Sequence, residues 1–340
     1  MSERASHRVA VIGGDGIGPE VIEAALAVVA AAGVELDTRS FDLGAARYLR
    51  DGFVLDDPTL EELRGFDAIL LGAVGPAIGD ARIASGLLER GLLLRLRFGL
   101  DLYVNYRPFR GVAGSIAEGA TFAIVRENTE GPYAGEGGVL RYGTDHEVAT
   151  QGSVNTRFGV ERCVRYGFLR ASELERPKVT LVHKINVLTF AGDLWRRVVA
   201  EVGAEYPDVE VDYQHVDAAC IYLVEDPQRY GVIVTDNLFG DILSDLAGAV
   251  TGGIGFAASA NLNPARTGAS LFEPVHGAAH DLVGTGRANP LAAVSSAALM
   301  LEHLGEVDAA RRIARAVADF EDDAAALGTK VVVKQIRERL

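Results

Sequence analysis

Residues 8–20 read RVAVIGGDGIGPE: a β-rich apolar run, a cluster of glycines, and a proline suited to the first turn of a helix. A strand that turns through glycines into a helix opens an α/β unit. The spacing is not the dinucleotide fingerprint G-x-G-x-x-G, because counting from Gly14 and Gly16 puts the third position on Pro19. The stretch therefore reads as a tight strand-to-helix turn, against a conventional Rossmann fold.

Outward from it the same alternation continues. Helical apolar spacing fills 18–32 and stops at Gly33. Short buried-strand runs lie at 68–72 (AILLG), 122–126 (FAIVR), 179–183 (VTLVH) and 232–235 (VIVT). The spacing predicts helices over 85–97, 157–171, 189–203, 239–250, 290–304 and 307–320. Strands alternating with helices give an α/β fold with much parallel sheet. The Gly-rich stretch 251–259 reads as a crossing between domains, and no internal repeat or low-complexity tract is evident.

Length and composition narrow the function. At 340 residues, 49 % of them apolar, the chain is long enough for two domains or one large α/β unit. A net charge of −14 argues against nucleic acid as partner and requires any anionic substrate to meet a local cluster of positive groups. No uninterrupted apolar run reaches membrane-spanning length, and residues 1–7 lack an apolar signal core. The only cysteines, Cys163 and Cys220, lie far apart and make no metal finger. A reducing cytoplasm is the expectation.

Residues 235–245 read TDNLFGDILSD. On a helix, Asp241 and Asp245 point from one face at neighbouring turns. Two hard oxygen ligands there suit Mg²⁺ or Mn²⁺. The alternative, a solvated acidic face, sits poorly with the flanking Leu238, Phe239, Ile242 and Leu243. Asp217 follows a strand-like stretch. Arg126 ends an apolar strand, where an arginine is rarely left without a partner, and Arg107 stands in the extended segment NYRP. Lys184 follows a buried strand, where burial would depress its pKa toward that of a useful base. Tyr133 lies in a Gly/Pro-rich loop. His276 and His280 have metal-ligand spacing, but Gly277 between them argues against a helix.

Five motifs occur in order: GDGIGPE (14–20), VRENTEGPY (125–133), HKINVL (183–188), DNLFGDILSD (236–245) and EPVHGAAHD (273–281). Together they resemble the β-decarboxylating dehydrogenases, the group containing 3-isopropylmalate, isocitrate, homoisocitrate and tartrate dehydrogenases. With LERGLLLRLR (88–97) and NVLTFAG (186–192) the likeness is strongest to the isopropylmalate enzymes of actinobacterial type. The resemblance implies a two-domain fold with a large mixed sheet: 1–102 plus 255–340 as a discontinuous cofactor-side domain, and 103–254 as a substrate, metal and dimerisation domain. It implies NAD- and Mg²⁺- or Mn²⁺-dependent oxidative decarboxylation of a 3-substituted malate, in leucine biosynthesis if the substrate is 3-isopropylmalate. The alternatives are isocitrate, homoisocitrate, tartrate or malate, or a specialised analogue. A non-redox lyase and a non-catalytic subunit on the same fold are the readings from other classes.

The resemblance also assigns roles. Asp217, Asp241 and Asp245 hold the metal. Arg97, Arg107 and Arg126 grip substrate carboxylates, and Asp217 also lies beside the substrate. Lys184 takes the C2-hydroxyl proton and Tyr133 protonates C3. Glu273, His276, Gly277, Ala278, Asp281, Asn289 and Asn186 contact the cofactor, with Asp281 positioned to accept from the ribose hydroxyls and to favour NAD over NADP. Leu93 and Leu94, one helical turn before Arg97, present apolar surface to the C3 substituent. Tyr103, Tyr106 and Asn128 depart from the expected pattern. Lys184 and Asp217 of one subunit combine with Tyr133 and the arginines of the other, so a homodimer is implied.

Overall fold

The computed structural model describes residues 6–320 and 324–340; most of the polar N-terminal stretch, residues 1–5, lies outside the described residues. The strands are β1 (His7–Gly14), β2 (Leu36–Ser40), β3 (Ala68–Ala73), β4 (Val104–Arg110), β5 (Thr121–Glu127), β6 (Gly137–Leu140), β7 (Val148–Gln151), β8 (Lys178–His183), β9 (Glu210–His215), β10 (Val232–Thr235), β11 (Ala258–Leu262) and β12 (Ser270–Pro274). The helices include α1 (Gly18–Ala31), α2 (Ala45–Asp51), α3 (Asp57–Arg64), α4 (Arg95–Gly99), α5 (Arg157–Ser172), α6 (Thr189–Gly203), α7 (Val216–Glu225), α8 (Asn237–Val250), α9 (Leu291–Leu304) and α10 (Val307–Ala318).

Ten strands form one sheet in the order β2-β1-β3-β12-β11-β4-β5-β10-β8-β9. Pairing is parallel toward both edges and antiparallel in the middle, where β11 runs against β12 and β4, and β4 against β5. This is the mixed α/β sheet the sequence implied, and not a Rossmann order. One half is built from residues 7–73 and 258–274, the other from 104–235.

β3 and the central residues of β1, β5, β8 and β10 read as apolar runs because both faces are covered. Successive side chains leave a strand on opposite sides. Val9, Val11, Ala68 and Leu70 enter one core with α1, α5 and α9, while Ala10, Ile12, Ile69 and Leu71 enter another with Leu60, Leu63 and Leu96. Farther along, Phe122, Ile124, Val182 and Ile233 pack against α7 and α8. Their neighbours Val125, Val179 and Val232 pack against the opposite layer.

The glycine turn after β1 serves chain crossing. Gly14 has φ +74°, and a Cβ there would lie 1.9 Å from the Ala73 carbonyl oxygen. The Asp15 carboxylate accepts from the amides of Ala45, Ala46 and Gly75, fixing the start of α2. The helix expected over 85–97 differs in detail. Helical Leu87 and Leu88 lead into a π-type segment, Glu89–Leu94, before α4 continues it. Leu94 is buried and Leu93 half-buried, leaning on the core that contains Leu92. The expected helix at 239–250 starts earlier, at Asn237, because Asp236 caps it by accepting from the Phe239 amide at 2.8 Å.

Trp195 of α6 is fully buried and donates its indole N–H to Asn155 Oδ1 at 3.0 Å. Trp195→Ala removes a large core side chain and should cost about 3–5 kcal/mol of stability. Asn155→Ala, which orphans the indole, should cost about 1–3 kcal/mol. Urea denaturation midpoints of the two variants check both values.

Candidate active site

Strand parity aims two functional side chains at one helix. Arg126 follows Phe122 and Ile124 on the α8 side of β5, and Arg107 shares a face with Phe109 on β4. Arg126 is only 1 % exposed. Its Nε and Nη2 donate to Asn237 Oδ1 at 3.0 and 2.7 Å, and its Nη1 donates to Asp241 Oδ1 at 2.5 Å. α8 approaches this closely because residue 240 is glycine: a Cβ would lie 2.5 Å from Arg126 Cγ. Arg107 donates to Ser244 Oγ at 2.7 Å and stands 3.7 Å from Asp245, while its buried Nε has no partner among the described residues. Arg97, at the end of the π-to-α segment, is buried 3.5 Å from Glu273 of β12.

The guanidinium groups strain against one another. Burial, then Arg126 and Arg97, push Arg107 down to about 10. Burial and Arg97 also lower Arg126. Burial alone would raise Asp241, but Arg126, the Tyr133 bond, Arg107 and Arg97 outweigh it and hold the carboxyl below its ordinary value. Asp245 moves up, because burial and the charge of Asp241 exceed the pull of Arg107 and Arg126. Tyr133 donates its hydroxyl to Asp241 Oδ2 at 2.7 Å and is pushed up to about 12, first by burial and then by that bond. The structure thus brings together Arg97, Arg107, Arg126, Tyr133, Asp241, Asp245 and Glu273. Glu273, expected at the cofactor, lies beside Arg97 and accepts from Asn261.

One member was missed in the sequence. Glu89, the first residue of the π turn, is raised by burial and lies within the electrostatic reach of Arg97, Glu273, Asp241 and Arg126. Only its spacing from Arg97 along a helix could have signalled it. Glu127, at the end of β5, was also missed. It accepts from the Thr129 amide and hydroxyl and the Glu130 amide, shaping the turn that leads to Tyr133.

Lys184 and Asp217 form a separate pair. Lys184 is not the buried lysine expected: its side chain is 26 % exposed, and Nζ lies 2.6 Å from Asp217 Oδ1. Asp217 is exposed in the first turn of α7, and the Lys184 bond lowers its pKa. Among the described residues no three His, Cys, Asp or Glu side chains of this chain converge to hold a metal. The expected metal set therefore divides, with Asp241 and Asp245 in one place and Asp217 in another.

The loop after β12 holds the other expected cofactor residues. Its backbone is locked onto the glycine turn: Ala278 O accepts from the Ile17 amide at 2.8 Å, and a Cβ on Gly16 would lie 1.8 Å from that oxygen. His276 is lowered by burial, and its buried Nε2 has no partner among the described residues, so a neutral imidazole presents one free ring nitrogen. Gly277 and Asp281 are exposed, and Asn289 Oδ1 accepts from the Leu291 amide. His280 donates its Nε2–H to the Gly75 carbonyl oxygen at 2.8 Å. Asn186 is exposed in the turn after Lys184. β8 and β12 are five strand spacings apart in the sheet, roughly 24 Å, so Asn186 does not join this loop within one chain. Tyr103 and Tyr106 lie in the opposite core layer, under the guanidinium groups of Arg162 and Arg170, so they face away from the arginine site. Asn128 is buried, donating to Leu102 O and Asn261.

Buried arginines beside the antiparallel β4–β5 pair, two carboxylates on one helix and a tyrosine hydroxyl form a group of charges suited to small carboxylated substrates. Comparison with known proteins gives the same answer. The isocitrate/isopropylmalate dehydrogenase family matches residues 8–331, and the chain belongs to that family. The 3-isopropylmalate dehydrogenase of Thermobifida fusca (strain YX) is 59 % identical over 330 residues, spanning 94 % of this chain and 92 % of the relative. That of Frankia casuarinae is 58 % identical, spanning 94 % of each. Among solved structures, isocitrate dehydrogenase from Methylococcus capsulatus superposes with TM-score 0.85 at 41 % identity, spanning 98 % of this chain and 99 % of that one. The chain is accordingly a decarboxylating dehydrogenase.

Burial raises Glu127 from its ordinary 4.5 to about 7. Its contribution to stability is therefore complete below about 4.5 and lost as pH rises through about 7. His183, lowered by burial to about 4, has the opposite sign: its contribution is lost as pH falls from 6.5 toward 4. Glu127→Gln removes the first effect and leaves the second. Relative to the parent, the variant should gain about 1–3 kcal/mol of stability between pH 5 and 8, read from denaturation curves across that range.

Proposed function

We propose that the chain oxidises 3-isopropylmalate at its C2 hydroxyl with NAD and releases the carboxylate on C3 as CO₂, giving 2-oxoisocaproate in leucine biosynthesis. The observation that carries this reading is the burial of Arg97, Arg107 and Arg126 around Asp241, with one guanidinium nitrogen of Arg107 unpartnered among the described residues. Buried guanidinium forks are matched by carboxylates, which they grip in bidentate fashion. The high identity to enzymes named for this substrate favours it over other malates.

The donor set fits a hard divalent cation such as Mg²⁺ or Mn²⁺, with Asp241 and Asp245 from one chain and Asp217 from the partner subunit. The loop at 276–289 would hold NAD, where His276, whose Nε2 has no partner among the described residues, would meet the adenosine, and Asp281, whose charge opposes a 2′-phosphate, the ribose. The cation supplies Lewis acidity and the nicotinamide a hydride acceptor. The chain's own groups do the rest. The arginines fix the two carboxylates. Lys184 Nζ takes the C2-hydroxyl proton. Tyr133, still protonated at neutral pH, gives its proton to C3 after CO₂ departs.

In this reading the sheet divides between β11 and β4 into two domains, 1–102 with 255–340 and 103–254, and the Gly-rich stretch 251–259 carries the chain between them. The active unit is a homodimer. Support comes from apolar surface: Phe190 is 94 % exposed, and Ile221, Val224, Leu238 and Ile242 are exposed on α7 and α8. The β6–β7 hairpin adds exposed Val139, Leu140 and Tyr142. Among the described residues no helix is long and apolar enough to cross a membrane; a cytoplasmic location follows from the biosynthetic role proposed.

NADH formation with 3-isopropylmalate, isocitrate, homoisocitrate, tartrate and malate tests the substrate; a higher kcat/KM on any other malate refutes it. Shared sites are tested by mixing. Lys184→Ala and Tyr133→Phe should each be nearly inactive alone. Refolded together, they should regain about a quarter of parental activity, because half the dimers are mixed and each of those has one intact site. No recovery would place both residues in a site made by one chain.

A further inference from the structure

Lys184 sits where β8 leaves the sheet. His183 is the last residue paired to β9, opposite His215, and the Lys184 carbonyl then accepts from the amides of Val187 and Leu188 as the chain turns toward α6. Ordinary ladder bonds no longer hold the backbone here. A single side-chain oxygen takes their place. The Tyr213 hydroxyl lies 3.3 Å from the Ile185 amide, 3.2 Å from the His183 carbonyl and 2.6 Å from His215 Nδ1. It thus brackets the peptide units on either side of Lys184.

The donor count fixes the protons. The Ile185 N–H donates to the phenol oxygen. A phenol has one proton to give, and the His183 carbonyl can only accept. All three contacts are satisfied when His215 carries its proton on Nδ1 and donates to Tyr213, which donates to His183 O. The rings of Tyr213 and His215 meet edge to face at 5.2 Å, which holds that geometry. Lys184 and Asp217 lie within the electrostatic reach of the phenol.

We infer that Tyr213, with His215 orienting its hydroxyl, is a positioning residue for Lys184: it pins the backbone on both sides of that lysine and so sets where Nζ stands. The inference rests on the reading of Lys184 as the group that takes the hydroxyl proton. A backbone free to shift by about 1 Å at such a group lowers turnover by about 100-fold without weakening substrate binding.

Tyr213→Phe keeps the ring and its packing and removes only the hydroxyl. In the assembled enzyme it should lower kcat about 10- to 100-fold while KM for the malate and for NAD stays within about threefold. His215→Leu should lose kcat similarly. His215→Asn, which can keep an N–H near the Nδ1 position, should recover most of it. In a Lys184→Ala background, Tyr213→Phe should cause no further loss. A kcat for Tyr213→Phe within about threefold of the parent, or equal losses in His215→Asn and His215→Leu, overturns the inference. Should Lys184→Ala itself retain its kcat, the proton-transfer reading falls and takes this inference with it. Should Lys184→Ala fail while Tyr213→Phe does not, only the positioning role falls.

Discussion

A guanidinium taken out of water must be given other partners, and the treatment of Arg126 organises this site. At 1 % exposure it has lost its hydration, a cost of several kcal/mol unless bonds replace it. Asn237 and Asp241 supply them, and both belong to α8. The ion pair therefore locks helix to strand and fixes the direction of the Asp241 carboxylate. Gly240 is the steric condition for that approach, and Asp236 at the helix cap sets where the helix begins. Tyr133 then bonds the second oxygen of the same carboxylate. Strand end, helix and loop acquire one geometry from one buried charge.

The charge balance around that pair explains how an acidic protein of net charge −14 can hold an anion. Arg97, Arg107 and Arg126 face Asp241, Asp245, Glu273 and Glu89. The cluster is close to neutral, so it is not simply an electropositive trap. The proposed reaction suits this balance: a dicarboxylate and a divalent cation enter as a neutral pair, the anion toward the guanidinium forks and the cation toward the acids. Arg107 is depressed first by burial and then by the neighbouring charges of Arg126 and Arg97.

What the sequence displayed and what it hid follow from the same physics. β1, β3, β5, β8 and β10 were legible because both of their faces are covered and their central positions are mostly apolar. β2 (LDTRS) is mostly exposed and β11 (ASANL) is buried but made of small and polar residues, so neither shows an apolar rhythm. The π turn at Glu89–Leu94 was hidden because nothing in its composition separates an i→i+5 turn from an α turn. The arginines and Asp241 were legible as chemistry whose spatial meeting sequence spacing could not show. Glu89 and Glu127 were not, since their partners come from fold geometry. Lys184 was misjudged as buried because its strand is buried up to His183 and its own side chain emerges at the edge.

The division of the site into two pairs, Lys184 with Asp217 and Tyr133 with Asp241, becomes intelligible from helix periodicity. On α7, Asp217, Ile221 and Val224 fall at i, i+4 and i+7; on α8, Leu238, Ile242 and Asp245 do the same. In each case the aliphatic residues are exposed, so an acid stands at the end of an unpartnered apolar stripe. A second copy that covers those stripes must carry its own acids to the edge of the contact. In the proposed dimer, the burial that drives association would then also deliver Asp217 of the partner subunit to Asp241 and Asp245. Assembly and the completion of the metal set would be one event, with no chain able to supply the whole of it alone.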